Sequence, residues 1–321
     1  MNRFEYRSPA SFRWVDVFAL IRPAQWIKNI VVFAAPAAGL RLSSLDSLSK
    51  SALTFAVFSL AASAAYSIND VVDRKADASH PTKRRRPVAG GRMSPSTAIG
   101  IGFALLLAAG VICAAALPPS VGAVLVLYLL ITLAYSLSLK ERVILDVILI
   151  SIGFVLRALA GGFAAAVPTS EWLVACVFTL CLFMGFGKRR CEITMLGQDS
   201  NLGEHRRTLV RYTPDLLNHL LTVSAGIAVI TFLLYTMDTA GHPSAFPKQQ
   251  LFYTLPLVIY GVFRFAMLTE LGWFAGPTEI VLKDRAMLTT LILWTTCALV
   301  IAYQKSIFGP AGIAGYFRAM N

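Results

Sequence analysis

The feature that most constrains this chain is a series of about nine apolar runs, each about as long as a bilayer is thick, separated by short charged segments. In lipid a backbone must satisfy its own hydrogen bonds, so such a run folds as a helix of about 20 residues. The runs extend approximately over Trp26–Leu42, Ser51–Ile68, Ser94–Ala116, Ser120–Leu137, Val143–Val167, Trp172–Gly187, Leu216–Met237, Leu251–Leu271 and Ala286–Tyr303. The expected fold is an all-α membrane protein: about nine transmembrane helices around a central cavity open to the cytoplasmic side. Residues 1–321 then form a single polytopic membrane domain, with 1–25 as a cytoplasmic interfacial N-terminal segment. In that segment Phe12, Trp14, Val15, Phe18 and Ile21 alternate with Arg13, Asp16 and Arg22, the pattern of a helix lying in the membrane surface.

With nine spans, successive connections alternate sides, and cytoplasmic connections collect Lys and Arg. Twenty-two of the 29 Lys and Arg lie before or at Lys28 or in the segments after the second, fourth, sixth and eighth runs. The N-terminus and these segments are thereby expected in the cytoplasm and the C-terminus outside, in a multi-pass protein of the cell (inner, cytoplasmic) membrane. A chain that is 56% hydrophobic and only 14% charged is too apolar for an ordinary soluble domain. The net charge of +12 does not argue for nucleic acid, because the cations are confined between apolar runs rather than spread over a soluble face. The five cysteines show no paired or metal-ligating spacing and read as reduced, structural residues.

Directly after the second run the chain reads Asn69-Asp70-Val-Val-Asp73-Arg-Lys-Ala-Asp77. At about 100° per residue, the three carboxylates fall within a fan of roughly 60° on one helix face, with Asn69 one turn before Asp73. Converging carboxylates repel one another unless a cation sits among them. Hard oxygen ligands suit Mg²⁺, which completes its shell with water and substrate phosphates. Asn69, Asp70, Asp73 and Asp77 are the candidate metal ligands, the three aspartates the candidate catalytic residues, and a diphosphate the implied ligand. The plainer reading is a solvated helix end at the membrane surface.

A few residues on, His80-Pro81-Thr82-Lys83-Arg84-Arg85-Arg86-Pro87 supplies four consecutive cations. They anchor the loop to the cytoplasmic surface, and beside the carboxylates Lys83 and Arg86 could also grip phosphate oxygens. Lys140 follows the fourth run, together with Tyr135 at that run's end, where Ala134-Tyr135-Ser136 echoes Ala65-Tyr66-Ser67 at the end of the second. Arg157 lies deep in the fifth run, where a charge is costly and faces a partner or a wet cavity. Asp146 shares its helical face, so an ion pair between them and a substrate contact are both open. Lys188 and Arg189 follow the sixth run, Asp284 follows the eighth, and Lys28 stands at membrane depth at the start of the first. Most such cations are explained by topology alone; Lys28, Lys83, Arg86, Tyr135, Lys140, Arg157, Lys188 and Arg189 are the candidate phosphate-binding set.

With these motifs in place, the whole chain resembles the UbiA-type intramembrane prenyltransferase superfamily, whose members carry an N-D-x-x-D-x-x-x-D signature after their second helix. Within it the chain looks most like the decaprenyl-phosphate phosphoribosyltransferase branch. The likeness rests on R-P-x-Q-W-x-K-N at Arg22 to Asn29, H-P-x-K-x-x-R-P at His80 to Pro87, Y-S-L-x-L-K at Tyr135 to Lys140, and G-K-R-x-x-E at Gly187 to Glu192. The resemblance implies a Mg²⁺-dependent enzyme that moves 5-phosphoribose from phosphoribosyl diphosphate to a polyprenyl phosphate. Its partners would be those two substrates and the lipid bilayer, with an assembly of several copies left open and nucleic acid excluded. Members that use prenyl diphosphates usually carry a second Asp-rich motif after helix six. Here that loop is basic and offers only Glu192, Asp199 and Glu204. This counts against the alternative, an aromatic prenyltransferase of a quinone or haem-type pathway.

Overall fold

The computed structural model describes residues 13–79, 83–196, 212–238 and 247–308. Among them the regular structure is helical, with no β-strand. In chain order the helices are α1 (Trp14–Ile21), α2 (Ala34–Ala38), α3 (Leu45–Val72), α4 (Arg74–Ser79), α5 (Pro95–Ala116), α6 (Pro119–Leu137), α7 (Leu145–Ala164), α8 (Glu171–Leu196), α9 (Pro214–Met237), α10 (Leu255–Leu271), α11 (Pro277–Lys283) and α12 (Arg285–Phe308). Stretches of 3₁₀ helix at Pro23–Phe33 and Lys248–Thr254 lead into α2 and α10. Among the described residues nine helical segments are long and apolar enough to cross a membrane, as the apolar runs predict. The chain is an all-α, multi-pass membrane protein.

Helix starts follow from local chemistry. The Ser94 hydroxyl accepts the Thr97 N–H at 3.0 Å with Pro95 in the first turn. Thr213 does the same for Leu216 at 3.2 Å ahead of Pro214. Each cap satisfies a donor that the first helical turn leaves unpaired.

Two boundaries differ from the expectation. The first apolar stretch does not begin at Trp26 but runs from Trp14 to Ala38, bent at Arg22. There a left-handed backbone (φ 53°, ψ 64°) ends α1, and Pro23 opens the 3₁₀ segment. The eight residues of α1, about 12 Å long, cannot span a bilayer by themselves. At the other end, α8 does not stop at Gly187. It continues to Leu196, so Lys188, Arg189 and Glu192 stand on a helix rather than in a loop.

Helix α7 organises the interior. Its one side joins α3, α5 and α6 in a core containing Val57, Phe58, Val121, Tyr128, Leu156 and Ala160. Val147, near its N-terminus, joins Phe183, Phe186, Leu217, Phe265 and Ile280 in a second core formed with α8 to α11. Gly161 lets α7 press against the main chain of the first 3₁₀ segment, where any Cβ would strike the Val32 carbonyl oxygen. By contrast α12 shows Leu291, Ile292, Leu293, Leu299 and Val300 on its exposed faces, as a lipid-facing helix would.

Candidate functional site

The end of α3 carries Asp70 in its last turn, and the helical hydrogen bonding continues through the break. The Asp73 N–H reaches the Asn69 carbonyl and the Asp77 N–H the Asp73 carbonyl, both at 2.8 Å. Asp70 and Asp77 are buried and Asp73 half-buried, so the carboxylate fan points inward rather than to solvent.

What fills the fan is the protein's own cations. Asp70 Oδ1 receives the Arg22 guanidinium and Arg86 Nη1, the latter at 3.1 Å. The same Arg86 nitrogen donates to Asp77 Oδ2 at 2.5 Å. Lys140 donates to Asp73 Oδ1 at 2.5 Å, and Asn69 Nδ2 donates to Asp73 Oδ2 at 3.0 Å. Among the described residues no group of three His, Cys, Asp or Glu is drawn together as a ready metal cage. The residues still fit a hard divalent cation on one observation: Asp70 Oδ2 is buried and has no hydrogen-bond partner, a carboxylate lone pair aimed at nothing.

The loop bearing Arg86 is fixed from α1. Arg92 Nε donates to the buried Asp16 at 2.7 Å while its Nη2 donates to the Arg85 carbonyl at 2.7 Å. Leu20, Val88 and Met93 bury their side chains beneath it. Lys83, half-buried, lies in a short 3₁₀ turn of the same loop. His80, Pro81 and Thr82 lie outside the described residues, as do Asp199 and Glu204.

A second network closes the C-terminal end of α8. Arg189 is fully buried. Its Nε donates to Asp146 at 2.8 Å, its Nη1 to Glu192 at 2.5 Å and its Nη2 reaches the Tyr135 hydroxyl at 3.4 Å. Lys188 lies 3.7 Å from Glu192 on the same helix. Tyr212 donates its hydroxyl to the other oxygen of Asp146 at 2.8 Å.

A third group lies where α7 meets the first 3₁₀ segment. Arg157, buried, donates to Asn29 Oδ1 at 2.6 Å, to the Gly153 carbonyl at 2.8 Å and to the Tyr128 hydroxyl at 2.8 Å. Its guanidinium also stacks over the Tyr128 and Phe154 rings. Asn29 is held in turn by donating to Ser59 at 2.9 Å. Half-buried Lys28 lies within electrostatic reach of Lys188, Arg157 and Arg22, so like charges surround it.

The structure sets these side chains in three networks and decides one alternative that the sequence left open. Arg157 and Asp146 do not pair. Eleven residues rise about 16 Å along a helix, so sharing a face does not bring them within reach, and each has a nearer partner. Arg157 and Arg189 both donate to protein groups, as Arg86 and Lys140 do. Sequence reasoning also missed Arg22. An Arg before Pro at the start of an apolar run reads as a topogenic anchor, and its partner lies 48 positions away. The Tyr66 ring lies under Arg22 at 5.0 Å, and the Tyr135 hydroxyl lies 3.4 Å from Arg189.

The family model described as UbiA prenyltransferase family matches residues 30–247. A decaprenyl-phosphate phosphoribosyltransferase of Mycobacterium tuberculosis is 34% identical over 286 residues, covering 87% of this chain and 91% of that protein. One of the same name from Corynebacterium glutamicum is 34% identical over 292 residues, covering 90% and 87%. A solved UbiA homologue from Archaeoglobus fulgidus bound to GPP and Mg²⁺ superposes with a TM-score of 0.69 at 17% identity, over 89% of this chain and 99% of that one. At that identity the superposition speaks for the fold.

Proposed function

Since the chain belongs to the UbiA prenyltransferase family and is a membrane-embedded enzyme, we propose that it transfers 5-phosphoribose from phosphoribosyl diphosphate to a polyprenyl phosphate, releasing diphosphate. The observation that carries this reading is the 34% identity, along nearly the whole length of both chains, to relatives named for that transfer. The basic end of α8, where a second Asp-rich motif is missing, supports it over use of a prenyl diphosphate. In this reading the reaction lies on the cytoplasmic face of the cell membrane, where a soluble sugar diphosphate would arrive, and the surplus of Lys and Arg over the segments that carry the site supports that side.

Asp70, Asp73 and Asp77, with Asn69 beside them, would hold Mg²⁺ in this reading, and the unpartnered Asp70 Oδ2 supports it. When bound, that ion neutralises charge on the departing diphosphate. Arg22, Arg86 and Lys140 stand one hydrogen bond from the same carboxylates and turn to the diphosphate oxygens as it enters. Lys28 and Lys188, with Lys83 at the loop, offer cationic positions for the sugar 5-phosphate and the lipid phosphate. The lipid phosphate is an anion at neutral pH and attacks C1 without a strong general base. Arg157 and Arg189 keep the 3₁₀ segment and the end of α8 in place around it. The polyprenyl tail lies along apolar helix faces open to lipid.

The test is transfer of labelled ribose phosphate to a panel of polyprenyl phosphates by membranes carrying the protein, with mass spectrometry of the lipid product. Label in the lipid with Mg²⁺ and none with chelator is the expected result. No phosphoribosylated lipid, or transfer of a prenyl group to an aromatic acid instead, would reject the reading.

A further inference from the structure

The residue before α7 is an Ile in a conformation that β-branched residues avoid. Ile144 has φ 67° and ψ −49°, and the Leu145 N–H reaches back to the Val143 carbonyl at 2.8 Å. This is a γ-turn of the rare, positive-φ hand, which is strained for any side chain and most of all for a branched one. Ile144 is exposed, so burial of its side chain does not enforce the turn. Besides backbone bonds from Asp146 N to the Arg142 carbonyl and from Val147 and Ile148 N to the Ile144 carbonyl, one side chain holds it. The Tyr212 hydroxyl accepts the Ile144 N–H at 2.6 Å and donates to Asp146 at 2.8 Å, so a single oxygen fixes both the turn and the carboxylate two residues on. Tyr212 is buried, and burial pushes its hydroxyl well above the ordinary value, so it keeps the proton that it donates.

From Asp146 the contacts run to the site. Asp146 takes Arg189, Arg189 takes Glu192, and Glu192 stands beside Lys188. We propose that Tyr212 is a positioning residue for the transfer reaction: its hydroxyl holds the strained turn at Ile144 and thereby sets Asp146, Arg189 and the cationic end of α8 against the phosphorylated substrate. The proposal rests on the function proposed above, in which that end of α8 meets a phosphate. Nothing in it requires Tyr212 to touch substrate.

The strain supplies its own test, because glycine adopts a positive φ without cost. Tyr212→Phe is expected to raise KM for phosphoribosyl diphosphate about tenfold while kcat changes less than about threefold, as for a lost ground-state contact. Ile144→Gly alone is expected to stay near wild type. The double variant Tyr212→Phe/Ile144→Gly is expected to return to within about threefold of wild type, since a turn that is no longer strained needs no holder. A role in packing or in proton transfer predicts no such rescue. Hydrogen exchange at the Ile144 amide reads the device without any turnover, and Tyr212→Phe should speed it about tenfold. Wild-type kinetics in Tyr212→Phe, a defect that Ile144→Gly does not repair, or an Ile144 amide equally protected in both proteins overturns the proposal. Absence of transfer by the wild-type protein defeats the proposed function instead, and the exchange measurement still decides whether Tyr212 holds the turn.

Discussion

Gly161→Ala tests how tightly the site depends on the approach of α7 to the first 3₁₀ segment. A Cβ at Gly161 would overlap the Val32 carbonyl oxygen and stand 2.7 Å from its carbonyl carbon. The obstacle is main chain, so no rotamer change relieves it, and either α7 or the segment carrying Lys28 and Asn29 must move. Overpacking of this kind costs about 1–3 kcal/mol, and a backbone clash belongs at the upper end. Replacing a helical Gly returns about 0.5–1 kcal/mol. The net loss of about 2 kcal/mol corresponds to a fall of about 5 °C in the apparent melting temperature in detergent. Displacing Lys28 and loosening the Asn29 contact to Arg157 by about 1 Å lowers kcat/KM about 100-fold, the order expected for a misplaced reactant. Gly226→Ala is the control, because a Cβ there meets nothing within 4 Å, and it should leave activity unchanged with a slightly higher melting temperature. If Gly161→Ala melts and turns over as wild type does, the claim that this contact sets the site is wrong.

Other substitutions separate charge from scaffold. Asp70→Asn, which keeps the shape and removes the anion paired with Arg22 and Arg86, should lower kcat by about 10²-fold or more in membranes with normal protein levels. Lys28→Met should raise KM for phosphoribosyl diphosphate at least tenfold with an equal or higher melting temperature, because it removes a charge lying among like charges. A lower melting temperature in Lys28→Met would show an unrecognised partner. The Arg264 guanidinium beside Asp284 holds that carboxyl below the ordinary carboxylate range. A depressed value contributes stability above the unfolded value, near 4, that is lost as pH falls through the folded one. Thermal scans should therefore show wild type losing stability below about pH 4 more steeply than Asp284→Asn.

The spans were legible because one physical requirement, a backbone that satisfies itself in lipid, writes a long signal into composition. The Asp-rich helix end was legible because period and residue type coincide over nine positions. What hydropathy could not supply was where a helix continues after its apolar run ends. Arg189 and Glu192 look like loop residues by charge, yet both are good helix formers and α8 carries them onward against Asp146 and Tyr135. Pairing was the least legible of all. Arg22 to Asp70, Lys140 to Asp73 and Arg157 to Asn29 join positions far apart in sequence, and each is decided by how α3, α7 and the first 3₁₀ segment meet.

Those pairings give the site a particular electrostatic condition. The residues proposed for it include eight cations, Arg22, Lys28, Lys83, Arg86, Lys140, Arg157, Lys188 and Arg189, against five carboxylates, Asp70, Asp73, Asp77, Asp146 and Glu192. Arg189 and Arg157 are spent on the walls. Arg86 is shared between two aspartates, and Lys28 lies among cations. A divalent ion held among the aspartates would add to the positive side, and Arg22, Arg86 or Lys140 would have to leave its carboxylate. That arrangement is balanced only if the incoming ligand brings several negative charges of its own. Under the proposed function, a sugar carrying a diphosphate at one end and a phosphate at the other, met by a phosphate on a lipid, would bring them to both halves of the site at once. Under the proposed function, a prenyl diphosphate would bring them to one half and leave the end of α8 only Asp146 and Glu192 as counter-charges.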